Sequence, residues 1–186
     1  MTTGWKPWIP DSAIVPENGL SAGLNEFGTE VYVGRGMFAG QIAAGKLINQ
    51  GTASYVAALY LEYGQMENVL TQGIEYYEKE ENCTYKWIPS SKGEIVLNAI
   101  QYWSKGYTFY VGRTSAFNSI QVGKLPLNFA NVMYFCHEGV GHEVDTYEVL
   151  VCEKENLAEK ELKLKIRMLE DQIEFYKKAC SKTFKF

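Results

Sequence analysis

The chain has two histidines, and both fall in one short segment, His137-Glu138-Gly139-Val140-Gly141-His142. This is one residue longer than a helix-borne pair of zinc ligands. Histidines five apart do not share a helical face, and two glycines disfavour a helix, so the segment reads as a turn or strand end. Gly40-Gln41-Ile42-Ala43-Ala44-Gly45-Lys46-Leu47 has the glycine and lysine spacing of a phosphate-binding loop. Leu47 stands where a magnesium-holding Ser or Thr is needed, and no strand–loop–helix context surrounds it. No Ser-His-Asp order, no cysteine beside a base and no helix-borne carboxylate pair stands out, so acid–base chemistry has few candidates. These residues describe a binding protein rather than an enzyme, with no cofactor and no metal.

What must position them is a duplication. Trp8-Ile9-Pro10, Tyr32-Val33-Gly34-Arg35 and Gly45-Lys46-Leu47 return in order as Trp87-Ile88-Pro89, Tyr110-Val111-Gly112-Arg113 and Gly123-Lys124-Leu125. Val69-Leu70 is similarly echoed by Val149-Leu150. Ordered peptides at a near-constant offset are the mark of an internal repeat, and two copies point to a closed pseudo-symmetric unit. Arg35 and Arg113 end matching segments, where a guanidinium can satisfy several acceptors at once, so both read as architectural. Trp8 and Trp87 read as core plugs. A lysine that follows a glycine, as Lys46 and Lys124 do, ordinarily reads as a solvated loop residue.

Residues 1–75 form the first repeat and 76–152 the second, with 153–186 outside the duplication. Aromatic residues make up 14% of the chain, which favours strands and ligand-contacting surfaces over a helical bundle. Glu30 to Arg35 and Thr108 to Arg113 alternate like half-buried strands, and Ala53 to Tyr60 and Ala130 to Phe135 look similar. Asn25-Glu26-Phe27-Gly28 and Ser104-Lys105-Gly106 supply turns ahead of the repeated strand. The expected fold is all-β and antiparallel: two pseudo-symmetric sandwich repeats followed by a C-terminal helix.

That helix is read from 153–180, which is rich in Glu, Lys and Leu and free of glycine and proline. Leu162, Ile166, Leu169, Ile173, Tyr176 and Cys180 are spaced 4-3-4-3-4, a heptad seam. It predicts a homo-oligomer through a coiled coil; the alternative is an amphipathic helix lying on its own β-body.

A net charge of −4 without a basic cluster in the duplicated part makes nucleic acid an improbable partner. No run approaches transmembrane length, and the N-terminus has no apolar leader core. The four cysteines, Cys83, Cys136, Cys152 and Cys180, lack paired metal or redox spacing. They are therefore expected as reduced thiols in the cytosol, with Asn82-Cys83-Thr84 an unused glycosylation sequon.

At its Trp-Ile-Pro, Gly-Thr-Glu-Val-Tyr-Val-Gly-Arg, Ala-Gly-Lys and Tyr-Glu-Val-Leu (147–150) signatures, the chain resembles tandem DM-nine repeat proteins over residues 5–152. That family includes invertebrate mannose-binding lectins, and related repeats occur in natterin-like proteins. The resemblance implies strands exchanged between the repeats and recognition of mannose-type glycans on microbes, in an innate-immune setting. It also implies a sugar site made by an acidic residue before the Tyr-Val-Gly-Arg strand and the lysine of the Gly-Lys motif. Mapped here, the lysines are Lys46 and Lys124, and the acidic position falls on Asn25 and Trp103. Asparagine accepts a hydroxyl's hydrogen bond without charge assistance, and neighbouring Glu26 offers a carboxylate. Trp103 can stack on a sugar but cannot replace a carboxylate.

The residue types suit such a ligand. A pyranose presents hydroxyls that both donate and accept, so it needs lysine, an acceptor and an aromatic wall together. Single sites of this kind bind weakly, and duplication with oligomerisation raises avidity. The rival expectation is a non-catalytic intracellular scaffold that lost the sugar site and self-associates through its helix. A membrane-active module, by analogy with natterin-like relatives, lacks an insertion hairpin. A lectin without a leader would stay cytoplasmic or meet glycans by unconventional release or surface association.

Overall fold

A computed structural model describes residues 4–8, 17–50, 56–94, 96–127, 131–154, 162, 164–174 and 177. Ile9-Pro10, Tyr176 and Cys180 lie outside the described residues. The chain divides into two compact units, Met1–Glu153 and Lys154–Phe186.

The first unit is built of strands. The first repeat supplies β1 (Trp5–Pro7), β2 (Ser21–Leu24), β3 (Glu30–Phe38), β4 (Gln41–Gln50), β5 (Val56–Tyr63), β6 (Met66–Leu70) and β7 (Ile74–Tyr77). The second supplies β8 (Cys83–Ser91), β9 (Gln101–Ser104), β10 (Tyr107–Ala116), β11 (Ser119–Pro126), β12 (Met133–His137), β13 (Val140–Val144) and β14 (Thr146–Lys154). They form one antiparallel sheet in the order β1-β7-β3-β4-β5-β6-β13-β12-β11-β10-β14-β8, with β2 on β3 and β9 on β10. Each strand of one repeat has its counterpart at the mirrored place in the other, so the order itself records a pseudo-twofold between β6 and β13. There Val140 pairs with Met66, and Gly141 N donates to Gln65 O at 2.9 Å. Among the described residues, β6 with β13 is the pairing that joins the two sets of strands. The segment after β7 stays with the first set, Glu78 N donating to Gly4 O and Lys79 N to Asn18 O, so the first repeat runs a few residues past 75.

The sheet curls until its two halves face one another, which gives the all-β, sandwich-like body. Val31, Val33 and Ala44 of the first repeat share a core with Tyr102, Val111, Val122 and Leu150 of the second. Tyr32, Leu47, Leu59 and Leu61 belong to a separate core on the other side of the first half, and Leu125, Met133 and Phe135 to one in the second. Strands β3 and β4 therefore contribute side chains to cores on both faces, beyond the one-sided burial that alternation predicts.

The repeated arginines pin neighbouring strands. Arg35 Nε donates to Glu75 Oε2 at 2.6 Å and Arg113 Nε to Glu148 Oε2 at 2.6 Å. Each guanidinium lies over an indole, Trp5 at 4.4 Å and Trp87 at 4.6 Å. The structural counterpart of Trp87 is thus Trp5, not the Trp8 of the matching tripeptide. Trp8 is instead buried with Leu47 and Leu59.

Two of the cysteines are not free thiols. Cys83 on β8 and Cys152 on β14 form a disulfide across adjacent strands, 69 residues apart in sequence. Cysteines this distant carry no local spacing signal, so only the strand order reveals the pair. Reducing it should cost about 2–4 kcal/mol, because it closes a long loop in the unfolded chain. A urea midpoint that does not move on reduction would contradict this. Cys136 is free and buried, and desolvation together with the nearby Glu67 carboxylate pushes its thiol pKa well up.

Candidate functional site: a cleft between the repeats

Asn25 opens the loop joining β2 to β3. Its side-chain Oδ1 accepts from Phe27 N at 3.0 Å and from Thr29 N at 2.8 Å, while its main chain brackets the loop through Thr29 O and Gly28 N. This is an Asx turn: the asparagine is chosen because its amide satisfies the loop's own N–H groups. Asn25 therefore sits at the expected place with its acceptor already used. Glu26 is exposed beside it. A main-chain hydrogen bond holds its carboxyl below the usual carboxylate range, with smaller help from Ser119, His137 and Lys46 and some opposition from desolvation. Phe27 projects from the loop, 83% exposed.

The lysines are not loop residues. Lys46 lies in β4, opposite Tyr60 of β5, and is only 7% exposed. Its Nζ donates to Gln121 Oε1 at 2.9 Å and to Cys136 O at 3.1 Å, both in the second repeat. Glu67 Oε1 of β6 is 3.6 Å away. Lys124 lies in β11 opposite Tyr134, and its Nζ donates to Glu62 O at 2.8 Å and pairs with Glu62 Oε2 at 2.8 Å in the first repeat. Cys136 and Glu62 hold equivalent positions one residue inside their hairpins. Each lysine thus crosses the pseudo-twofold and ties its repeat to the other. The solvated-loop expectation fails because Gly45 and Gly123 are strand residues that let β5 and β12 approach.

Around Lys46 the loop 25–29, β4, β5, β6 and the β12–β13 turn enclose a cleft of about 380 Å³ that brings Asn25, Glu26 and Lys46 together. It also gathers Glu67, which the sequence did not flag, Phe27 of the turn, and His137, which the sequence read as a turn or strand-end histidine. Glu67 Oε2 accepts from Gly139 N at 2.8 Å, which fixes the carboxylate with Oε1 turned to the lysine. At 3.6 Å the ammonium and Oε1 are an ion pair outside hydrogen-bond contact. The same ammonium lies 5.5 Å from the centre of the Tyr60 ring. Asn49, also on the cleft wall, carries a buried Oδ1 without a partner among the described residues. His137 is held in place by stacking on Phe117, 4.3 Å between centroids and 10° from parallel.

Lys124 lies in a second hollow of about 640 Å³ that is the pseudo-twofold mate of the first. The two differ in their lids. Strands β9 and β10 are joined by Lys105-Gly106 alone, both at positive φ (46° and 87°), a tight two-residue hairpin turn. Trp103 consequently lies on β9 opposite Thr108, not in the turn. The constant sequence offset fails here because the second loop is shorter: Ser21 pairs with Tyr32 and Gln101 with Tyr110, an offset of 80. Tyr107, Phe109 and Pro126 line this hollow beside Lys124 as an apolar wall. The second hollow lacks an acidic loop residue, and its carboxylate, Glu62, is spent on its own lysine.

The phosphate-loop spacing belongs to a hairpin and strand β4, and no group of three or more metal-ligating side chains occurs among the described residues. No helix of the described residues is long and apolar enough to cross a membrane.

No family model matches the sequence, and no curated protein is significantly similar. Among solved structures, the fold is similar to the crystal structure of the nematode sperm cell motility protein MFP2B, with a TM-score of 0.58 and 18% identity. The match covers 81% of this chain and 44% of that one, so the chain spans less than half of MFP2B. At this identity the likeness shows a shared β fold.

Proposed function

We propose that this protein is a lectin for mannose-type glycans, binding reversibly and without catalysis in the inter-repeat cleft. The observation that carries this reading is the convergence of Lys46, Glu67 and the 25–29 loop on one cleft of sugar size. A buried ammonium and a fixed carboxylate lie side by side on the cleft wall as an ion pair at 3.6 Å. A hydroxyl lodged beside this pair would accept from Lys46 and donate to Glu67, while Phe27 offers a wall for the ring's C–H face. Glu67, supplied by β6, takes the part that the resemblance gave to an acidic loop residue. The exposed heptad seam of the C-terminal helix would join copies and multiply weak single sites into microbial recognition. Release from the cytosol to an oxidising exterior fits the Cys83–Cys152 disulfide.

A second reading has its own support. Asn25 spends its acceptor on its loop, and Lys46 spends two donors on the second repeat. A scaffold that kept the fold and lost the sugar site would look like this too. Glu67→Gln, which keeps shape but removes charge, should weaken mannose binding about tenfold, an effect of about 1.4 kcal/mol. Phe27→Ala, at a site that supports no packing, should weaken it severalfold with an unchanged melting curve. If calorimetry gives wild-type affinity for both variants, the cleft is not the site.

A further inference from the structure

The C-terminal helix carries its seam in the open. Within 164–174, Ile166, Leu169 and Ile173 are 47%, 58% and 54% exposed, and Leu162 one turn earlier is 58% exposed. An isolated helix of this length is marginal in water, so these side chains need a partner.

We infer that the partner is a second copy of this chain, and that the two helices pair parallel and in register as a two-stranded coiled coil. The inference rests on the self-association proposed above and fixes its geometry. The 4-3-4 spacing puts Leu162 and Leu169 at d and Ile166 and Ile173 at a. β-Branched residues at a with leucine at d favour two parallel strands. Charge decides orientation in the same direction. Lys165 falls at g and Glu170 at the following e, so in a parallel pair each Lys165 faces Glu170 of the other copy, twice over by symmetry. In an antiparallel pair centred on the same seam, e positions face e positions. Glu170 then stands against its own copy, a like-charge contact without compensation. Leu164 and Met168 lie off the seam at f and c and stay solvent-facing in either pairing. Parallel pairing brings the two helix N-termini together, and a dimer carries two copies of each weak site.

The test uses the full chain. Light scattering reads the mass, and Leu169→Cys in a Cys180→Ser background reads the register under mild oxidation. A dimer mass, with Leu169→Cys chains cross-linking to one another, is the expected result. Mixing Leu169→Cys and Ile173→Cys chains distinguishes the alternative: cross-links found only between unlike chains mean an antiparallel pair and overturn the orientation while leaving self-association standing. A trimer or larger mass overturns the two-stranded assignment. A monomer mass removes self-association itself, and this inference with it. Glu170→Lys should loosen the dimer, and adding Lys165→Glu should restore it.

Discussion

Gly45→Ala is expected to prevent folding, with a loss beyond about 4 kcal/mol or no soluble protein at all. A Cβ at this position would stand 2.0 Å from Tyr60 O, and at Gly123 the same atom would stand 2.0 Å from Tyr134 O. Those obstacles are main-chain carbonyls of paired strands, so no rotamer change relieves them, and the strands must part. The Gly-Lys motif is therefore first a packing device: glycine admits the neighbouring strand, and the next residue, on the opposite face, can carry the lysine across the pseudo-twofold. Gly64→Ala is the control. Nothing lies within 4 Å of its added Cβ, so only its positive φ of 64° is penalised. The cost there is about 1–2 kcal/mol. Urea melts of the two variants decide the matter; similar midpoints would show that the close approach is not required.

Lys46→Ala is expected to cost about 3–5 kcal/mol of stability, because it breaks a buried ion pair and leaves acceptors unpaired. Gln121 Oε1, Cys136 O and Glu67 Oε1 all lose the ammonium, and Gln121 is fully buried. Loss of sugar binding in this variant alone would therefore be ambiguous between an emptied site and a loosened protein. A double-mutant cycle with Gln121→Leu separates the two. The pair shares one hydrogen bond, so the combined loss should fall short of the sum of the single losses by about 0.5–3 kcal/mol. Strict additivity would mean that Lys46 does not tie the repeats together.

The duplication, the β class and the strands around Tyr32 and Tyr110 were legible because alternation and repetition are local signals. The lysines could be named from their motif, yet their burial could not. Lys46 reaches residues 75 and 90 positions away, and only the curl of the sheet brings Gln121 and Cys136 to it. Glu67 was invisible for the same reason: it acts on a lysine from another strand and takes its main-chain donor, Gly139, from the other repeat. Trp103 was misplaced because Gln101 and its partner Tyr110 are two positions closer in sequence than Ser21 and Tyr32, and a fixed offset cannot register a deletion between two matched motifs. Trp8 was matched to Trp87 by its tripeptide, whereas Trp5 shares with Trp87 the role that matters, lying under an arginine. The disulfide joins strands that become neighbours only in the folded sheet.

Backbone NMR of the isotopically labelled protein, titrated with mannose and then with a branched mannan, reads the sugar site residue by residue. Chemical-shift changes should concentrate at the amides of Asn25 to Thr29, Glu67 and His137 to Gly139, and should vanish in Glu67→Gln. Shifts at Tyr107, Phe109 and Lys124 instead would move the site to the second hollow. An unchanged spectrum at millimolar sugar would contradict the lectin reading and leave the self-associating scaffold in its place.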